Sequence, residues 1–311
     1  MGAAAGEHTL LLTDLGQVLS FGYNALGQLG LGDTNTRHTP CLVEELVGTF
    51  VVQVTAGNAS SGAVSATGKS FTWGIGDGYG LGHGTTDHQH TPKRVEALTK
   101  YTITQLALGW RHGMVLDDKG NVYSWGLGGW GQLGHGNNEN QQLPKQIEYL
   151  KENKYKVKKI HCNFRQSVVL LEKGEKVLTF GEGGYGRLGH GDHENQSTPT
   201  VISSLEGTKI SEVHVGEDHL LLLSESADGG GKIFSCGPPM MMESVRNYSL
   251  QNNLKCDLAL ETIMACGFGI CQGCTVEKKA ATTDKHSYRN KFVLACMDGP
   301  IFNAEGIVSC M

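Results

Sequence analysis

Proline, positive charge and long apolar runs are all scarce in this chain, and each scarcity excludes something. Seven prolines stand against 44 glycines in 311 residues. Glycine is thus at about twice the usual share of roughly 7%, which argues for many tight turns between short strands and against disorder. No run of eighteen apolar residues occurs, so no membrane-spanning helix is expected. With 26 basic and 31 acidic residues and a net charge of −5, the chain lacks the basic footprint that phosphate backbones require, so no nucleic-acid partner is expected. The opening Met1-Gly2-Ala3-Ala4-Ala5-Gly6 has neither a basic nor an apolar leader segment. A cytoplasmic protein with reduced thiols, rather than a disulfide framework, is the expectation. Cysteine is nearly missing from residues 1 to 230, where only Cys41 and Cys162 occur. Cys236, Cys256, Cys266, Cys271, Cys274, Cys296 and Cys310 crowd the remainder. The two parts follow different rules, and the length allows for two ordinary domains.

The first part repeats itself. Val18-Leu19-Ser20-Phe21-Gly22 returns as Ser70-Phe71-Thr72-Trp73-Gly74, as Val122-Tyr123-Ser124-Trp125-Gly126 and as a box ending in Phe180-Gly181. A second box follows each: Gly27-Gln28-Leu29-Gly30-Leu31-Gly32, Gly80-Leu81-Gly82-His83-Gly84, Gly131-Gln132-Leu133-Gly134-His135-Gly136 and Gly186-Arg187-Leu188-Gly189-His190-Gly191. Each unit ends at Pro40, Pro92, Pro144 or Pro199. Between the boxes lie short apolar runs, His8–Leu12, Gly113–Leu116, Ser167–Leu171 and Leu220–Leu223, which read as buried strands. Short strands at a period near fifty are the pattern of β-propeller blades, each a small sheet that buries its faces only by stacking on its neighbours.

These boxes closely resemble the repeat of the regulator of chromosome condensation family over about residues 1–230. The resemblance implies a seven-bladed propeller that serves as a protein-interaction platform, one member being the exchange factor of a small GTPase. Here four to five blades, an incomplete ring, are expected, with proteins docking on the propeller face. Recurrent polar side chains are assigned to structure. His8, His112 and His219 share one register with Ser60 and Gln166, and a hydrogen-bonding residue recurring in every blade is better explained by buried backbone groups that need partners than by repeated active sites. The same reasoning covers His83, His135 and His190, which fall in separate blades. Trp73, Trp125 and Trp130 read as packing.

The second part carries chemistry. Cys266, Cys271 and Cys274 stand at the Cys-x4-Cys-x2-Cys spacing of a plant-type [2Fe-2S] centre, and Cys296 is the candidate fourth thiolate. Gly267, Gly269 and Gly273 let that loop curl closely around a cluster. Zinc is an alternative, although four-cysteine zinc sites are more usually built from two separated pairs. Unligated thiols are another. Upstream, Ile233-Phe234-Ser235-Cys236-Gly237 reads as a further strand, Gly229-Gly230-Gly231 as a joint, and the segment from Pro238 as the start of a helix with Met241, Val245 and Tyr248 on one face.

Cys236-Gly237-Pro238-Pro239-Met240, the cysteine loop and Cys296-x-Asp298-Gly299-Pro300-x-Phe302 look like the C-terminal end of the electron-transfer subunit of heterodimeric dihydroorotate dehydrogenase, over about residues 231–311. The resemblance implies a small α+β, ferredoxin-like [2Fe-2S] domain beside a remnant of a ferredoxin-reductase-like nucleotide domain. It further implies that Cys266 and Cys271 ligate one iron and Cys274 and Cys296 the other. The flavin barrel of that family has no counterpart, since propeller repeats fill the preceding length, so a flavin is not expected on this chain alone. The combined expectation is an all-β propeller joined to an electron-transfer module of pyrimidine biosynthesis, at most a subunit of an oxidoreductase, relying on a separate flavoprotein. The alternatives are a non-enzymatic, GTPase-regulator-like interaction protein with a vestigial cysteine segment, or a fusion of two genes.

Overall fold

Each glycine-marked repeat folds into one antiparallel sheet in the computed structural model, which describes residues 2–225, 232–236, 239–251, 255–259, 275–278, 292–294, 301–303 and 307–309. The chain divides into two compact units, one of residues 1–173, 177–182 and 195–201, the other of residues 174–176, 183–194 and 202–311.

The first unit holds four sheets of four strands, each a meander in chain order. They are β1 (Gly2–Ala5), β2 (His8–Leu12), β3 (Val18–Gly22) and β4 (Arg37–Leu42); β5 (Val51–Ala56), β6 (Ser60–Ser65), β7 (Ser70–Gly74) and β8 (Gln89–Arg94); β9 (Ile103–Leu108), β10 (His112–Asp117), β11 (Val122–Gly126) and β12 (Gln141–Gln146); and, after the short helix α1 (Glu148–Glu152), β13 (Val157–Asn163), β14 (Gln166–Leu171), β15 (Val177–Gly181) and β16 (Gln196–Val201). The apolar runs thus form second strands. The prolines do not end the units, as their spacing suggested, but lie within the fourth strands β4, β8, β12 and β16. A fourth strand is an edge of its sheet, where the missing proline N–H costs no ladder bond and discourages pairing with foreign strands.

Hydrophobic cores form at the seams between sheets. Leu10 and Val18 of the first sheet pack with Val51, Val54, Ala63 and Trp73 of the second. Val64 packs with Leu106, Leu108, Val115 and Trp125, and Met114, Leu116 and Val122 pack with Ile160, Val169, Leu178 and Phe180. Trp73, Trp125 and Phe180 are fully buried, so Trp73 and Trp125 are packing residues as expected. Each aromatic rests on the second box of the preceding sheet. Gly30, Gly82 and Gly134 adopt φ of +73°, +75° and +74°, and a Cβ on them would come within 2.8 Å of Trp73 Nε1, Trp125 Nε1 and Phe180 Cε2. The same loops accept hydrogen bonds from Trp73 Nε1 to the Gln28 carbonyl at 2.9 Å and from Trp125 Nε1 to the Gly80 carbonyl at 3.0 Å.

A second cross-sheet link had no visible signal in the composition of the repeats. The Gln53 side-chain amide donates to the Leu106 carbonyl at 3.0 Å and accepts from the Leu106 N–H at 2.9 Å. One sheet further on, Gln105 donates to Lys158 O and accepts from Ile160 N–H. A primary amide thereby imitates one rung of a β-ladder between sheets that do not otherwise pair.

The second unit begins like another blade and then changes hand. β17 (Ile210–Val215), β18 (Leu220–Ser224) and β19 (Lys232–Cys236) pair antiparallel. In place of a proline-bearing fourth strand, α2 (Pro239–Gln251) leads to β20 (Lys255–Ala259), which pairs parallel to β19, as a crossover helix permits. β23 (Ile301–Asn303) completes this sheet, while β21 (Thr275–Lys278), β22 (Phe292–Leu294) and β24 (Ile307–Ser309) form another. The strand and helix expected at Ile233 and Pro238 are present, the helix starting one residue later; Val245 is half-buried and Tyr248 exposed on it. The expected glycine joint and the cysteine loop lie outside the described residues.

The close glycine approach makes a prediction. Gly82→Ala should lower stability by about 2 kcal/mol or more, from left-handed strain plus contact with the Trp125 ring, whereas Gly129→Ala, with open space around it, should be nearly neutral. Urea melts of the two variants beside the parent protein check this.

Candidate functional site

The recurrent polar residues are held within the repeat architecture. On the third strands, Ser20, Thr72 and Ser124 each donate a hydroxyl to the carbonyl of Leu29, Leu81 or Leu133 at 2.7 Å, pinning the second box to its own sheet. His83 Nε2 lies 3.1 Å from Thr72 Oγ1 and His135 Nε2 lies 3.0 Å from Ser124 Oγ. Each hydroxyl has already given its only proton to the carbonyl, so the imidazoles donate. His8 and His112 do the same across the seams. His8 Nε2 donates to Ser61 Oγ at 2.8 Å and His112 Nε2 to Ser167 Oγ at 3.0 Å, while those serines donate to the Gln28 and Gln132 carbonyls. Histidine, serine and loop carbonyl thus form a relay that ties one sheet to the next.

Burial, first of all, keeps the imidazoles of His83, His112 and His135 neutral. It lowers the pKa of His112 to about 3 and, with the nearby charges of Lys93 and Lys145 acting second, those of His83 and His135 to about 4. Burial also lowers the pKa of His219 in the second unit, against the opposing pull of Asp218. Cys162 is likewise pushed up to about 12 by burial, which leaves an unreactive thiol. Among the described residues no group of three or more His, Cys, Asp or Glu side chains is placed to hold a metal.

Trp130 departs from the packing role expected of it. It is only half-buried and carries the Arg165 guanidinium, whose Cζ lies 3.9 Å from the centre of its ring. Arg165 also lies 4.8 Å from the ring centre of Trp110 and 4.6 Å from that of Phe164, and Arg111 lies 4.6 Å from the ring centre of Trp110. Arg165 meets Glu182 at 3.4 Å and Arg111 meets Asp77 at 3.3 Å. This cluster of three aromatics and two cations sits on turns of the third and fourth sheets, with Asp77 on a turn of the second. It is the described feature whose composition, tryptophan and arginine together, matches that of interface anchors.

The four candidate ligands Cys266, Cys271, Cys274 and Cys296 lie outside the described residues. Their strand neighbours are described. Thr275, the residue after Cys274, pairs with Leu294, two residues before Cys296, in the β21–β22 ladder.

The buried histidines set a pH dependence. Unfolded, they titrate near 6.5; folded, they resist protonation until about 4 or 3. Between these values the unfolded chain binds protons that the folded chain does not, so stability should fall as pH drops below about 6.5. His112→Gln, which installs the residue that Gln166 supplies at the same register, should remove up to about 1.4 kcal/mol per pH unit of that slope. Urea midpoints between pH 7 and pH 5 measure it.

Comparison with known proteins gives the repeats their family. The model of the RCC1-like domain matches residues 3–247, and that of the iron-sulfur cluster binding domain of dihydroorotate dehydrogenase B matches residues 261–308. The chain is 35% identical over 236 residues to the human E3 ubiquitin-protein ligase HERC2, covering 75% of this chain and 5% of that one. It is 33% identical over 220 residues to the ultraviolet-B receptor UVR8 of Arabidopsis thaliana, covering 71% and 49%. Among solved structures, human WBSCR16 aligns with a TM-score of 0.66 at 30% identity over 73% of this chain and 58% of that one. Yeast RCC1 (Prp20), solved with Kap60 bound, aligns with a TM-score of 0.63 at 29% identity over 76% and 55%. The chain spans from a twentieth to somewhat over half of the length of these relatives. Its four-stranded sheets, knit by box glycines against the aromatics of the next sheet, belong to the RCC1-like domain family.

Proposed function

We propose that the RCC1-like blades are a protein-docking scaffold and that the C-terminal segment is an electron-transfer module, of the type found in the electron-transfer subunit of dihydroorotate dehydrogenase in pyrimidine biosynthesis. Cys266, Cys271, Cys274 and Cys296 hold a [2Fe-2S] cluster in this reading, in a cytoplasmic protein. The observation that supports it is the register of β21 on β22, which pairs Thr275, after Cys274, with Leu294, two residues before Cys296, within the span matched by the iron-sulfur model. Four thiolates, three in one loop and one remote, are the donor set such a cluster takes. When bound, it passes single electrons. The protein residues would have the other tasks: the four thiolates would fix the group, and the glycines between them would let backbone N–H groups approach its sulfurs.

The scaffold reading is supported by the solved complex of yeast RCC1 with Kap60 and by the structure of Prp20p reported with its binding to Gsp1p and histones. A second reading, an interaction protein whose cysteine segment is vestigial, is favoured by the short span of the iron-sulfur match beside that of the blades. Hydride carriers deliver electrons in pairs and the cluster takes them singly, so a flavin must stand between them. The partner on the redox side is accordingly a separate flavoprotein.

Anaerobically purified protein should carry about two irons and two sulfides per chain, with the visible absorption of a [2Fe-2S] centre. Serine at any of the four cysteines should bleach it, and serine at Cys41 or Cys162 should not. NADH alone should leave the cluster oxidised until a flavoprotein reductase is added. Stoichiometric zinc without iron would overturn the redox half, and bound flavin with direct NADH reduction would overturn the need for a partner.

A further inference from the structure

The turn between first and second strands is built alike in successive sheets of the first unit, whatever residues occupy it. Gly57 N–H donates to Ser60 O at 2.8 Å and Gly109 N–H donates to His112 O at 2.9 Å. The carbonyls of Glu7, Ala59, Arg111 and Arg165 accept from the residue after Gly22, Gly74, Gly126 or Gly181. A Cβ on any of those four glycines would come within 2.5 Å of the carbonyl oxygen. The fold therefore fixes the backbone here and leaves the side chain open. The second sheet makes the turn with Asn58 and Ala59, while the third and fourth make it with Trp110-Arg111 and Phe164-Arg165. Packing does not demand an aromatic and an arginine at a register that asparagine and alanine also fill.

The cluster is held ready. Trp110 N–H donates to Phe164 O at 2.8 Å, Trp130 N–H to Gln132 Oε1 at 3.0 Å and Phe164 N–H to Asn163 Oδ1 at 2.8 Å. Phe164 adopts φ +40°, a conformation that costs a non-glycine residue free energy and concentrates at binding and switching sites. The guanidinium carbons lie 3.9–4.8 Å from the ring centres, so much of their rotamer freedom is lost before any ligand arrives. The Nε of each arginine is buried without a hydrogen-bond partner. Their outer nitrogens meet carboxylates at long, single-point distances of 3.3 and 3.4 Å, in part-exposed pairs. A guanidinium prefers two parallel, shorter contacts. Asp77 and Glu182 thus occupy the positions of better-placed carboxylates.

We propose that Trp110, Arg111, Trp130, Phe164 and Arg165 form a docking site for an acidic peptide segment of a partner protein, with Asp77 and Glu182 as resident carboxylates that the peptide displaces. The proposal rests on the scaffold reading and names its site. Peptide carboxylates take the outer guanidinium nitrogens, and the chain between them lies over the half-buried rings.

The test uses the intact chain and a synthetic peptide rich in Glu and Asp spaced by Leu, with a Lys-rich peptide of the same length as control. Binding is read by calorimetry and by the change in tryptophan fluorescence, which reports on Trp110 and Trp130 because Trp73 and Trp125 are fully buried away from a ligand. The acidic peptide should bind and weaken with salt, and the basic one should not. Arg111→Ala and Arg165→Ala should each weaken it about tenfold; alanine is the residue the second sheet already carries there, and an unchanged urea midpoint confirms folding. Glu182→Gln, by freeing Arg165, should tighten binding about threefold, and Lys119→Met on an exposed turn elsewhere should change nothing. Binding untouched by both arginine variants, or weakened by Glu182→Gln, overturns the site and leaves the scaffold reading standing. Equal binding of the basic peptide, no binding of either peptide, or a dimer in sedimentation that Arg165→Ala abolishes also overturns it. The scaffold reading fails separately, if neither the intact chain nor its double arginine variant retains any protein at all.

Discussion

The close approach of a glycine to an aromatic ring sets the spacing of the blades. Gly30, Gly82 and Gly134 bring the second box of one sheet onto Trp73, Trp125 and Phe180 of the next, at separations that admit no side chain. The Trp125 N–H then supplies a partner to the Gly80 carbonyl, and the Trp73 N–H joins Ser61 on the carbonyl of Gln28; an unpaired carbonyl costs about 1–3 kcal/mol in a protein interior. At the last of these seams phenylalanine takes the place and has no such donor. Ser167 there still donates to the Gln132 carbonyl. One loop group is satisfied by whichever side chain the following sheet presents, and the blade spacing is kept.

The repeat was legible because glycines, prolines and apolar runs recur at nearly equal distances, and period is what a sequence displays most openly. The histidines were readable as structural for the same reason. What could not be read was the partner of each. His8 and Ser61, or Gln53 and Leu106, lie about fifty residues apart, and the Gln53–Gln105 clamp ends where Lys159 takes the register, since an ammonium cannot accept an N–H. Trp130 was grouped with Trp73 and Trp125 by residue type. Its distinguishing signal was the arginine pair at 111 and 165, residues that follow an aromatic where the preceding repeat has Asn58-Ala59. The fourth-strand prolines were legible as punctuation but not as edge protection, because sheet order is a three-dimensional property.

The C-terminal part shows the limit of periodic reading. β19 serves both as the third strand of a blade and as the first strand of a parallel pair closed by α2. The change was signalled by Pro238 and Pro239, which no blade strand tolerates in tandem, since two missing N–H groups would break the ladder. What the sequence could not announce was that β20 would return parallel. The cysteine spacing was legible as chemistry without any knowledge of fold, because cluster ligation constrains short distances along the chain. The β21–β22 ladder is a long-range pairing that the spacing did not announce.

In a repeat protein, whatever recurs is explained by the repeat, so function is to be sought where the pattern breaks while the backbone does not. The register of Glu7, Ala59, Arg111 and Arg165 meets that condition: four similar turns, the same carbonyl hydrogen bond, and side chains of opposite charge, no charge and positive charge. Arginines on two adjacent sheets converge on one tryptophan, Trp110. Had the residues been selected only to close the turn, alanine would serve at each, with no cation to desolvate. Glu182 strengthens the argument, because the matching position after Gly74 or Gly126 is the apolar Ile75 or Leu127. Arg165 finds its carboxylate at that position, and Arg111 takes Asp77 from a turn of the second sheet. The cost of ordering and part-burying these cations is met locally by rings and carboxylates. An incoming anion then has to improve only on two long contacts, which separates recognition at this surface from the stability of the blades beneath it.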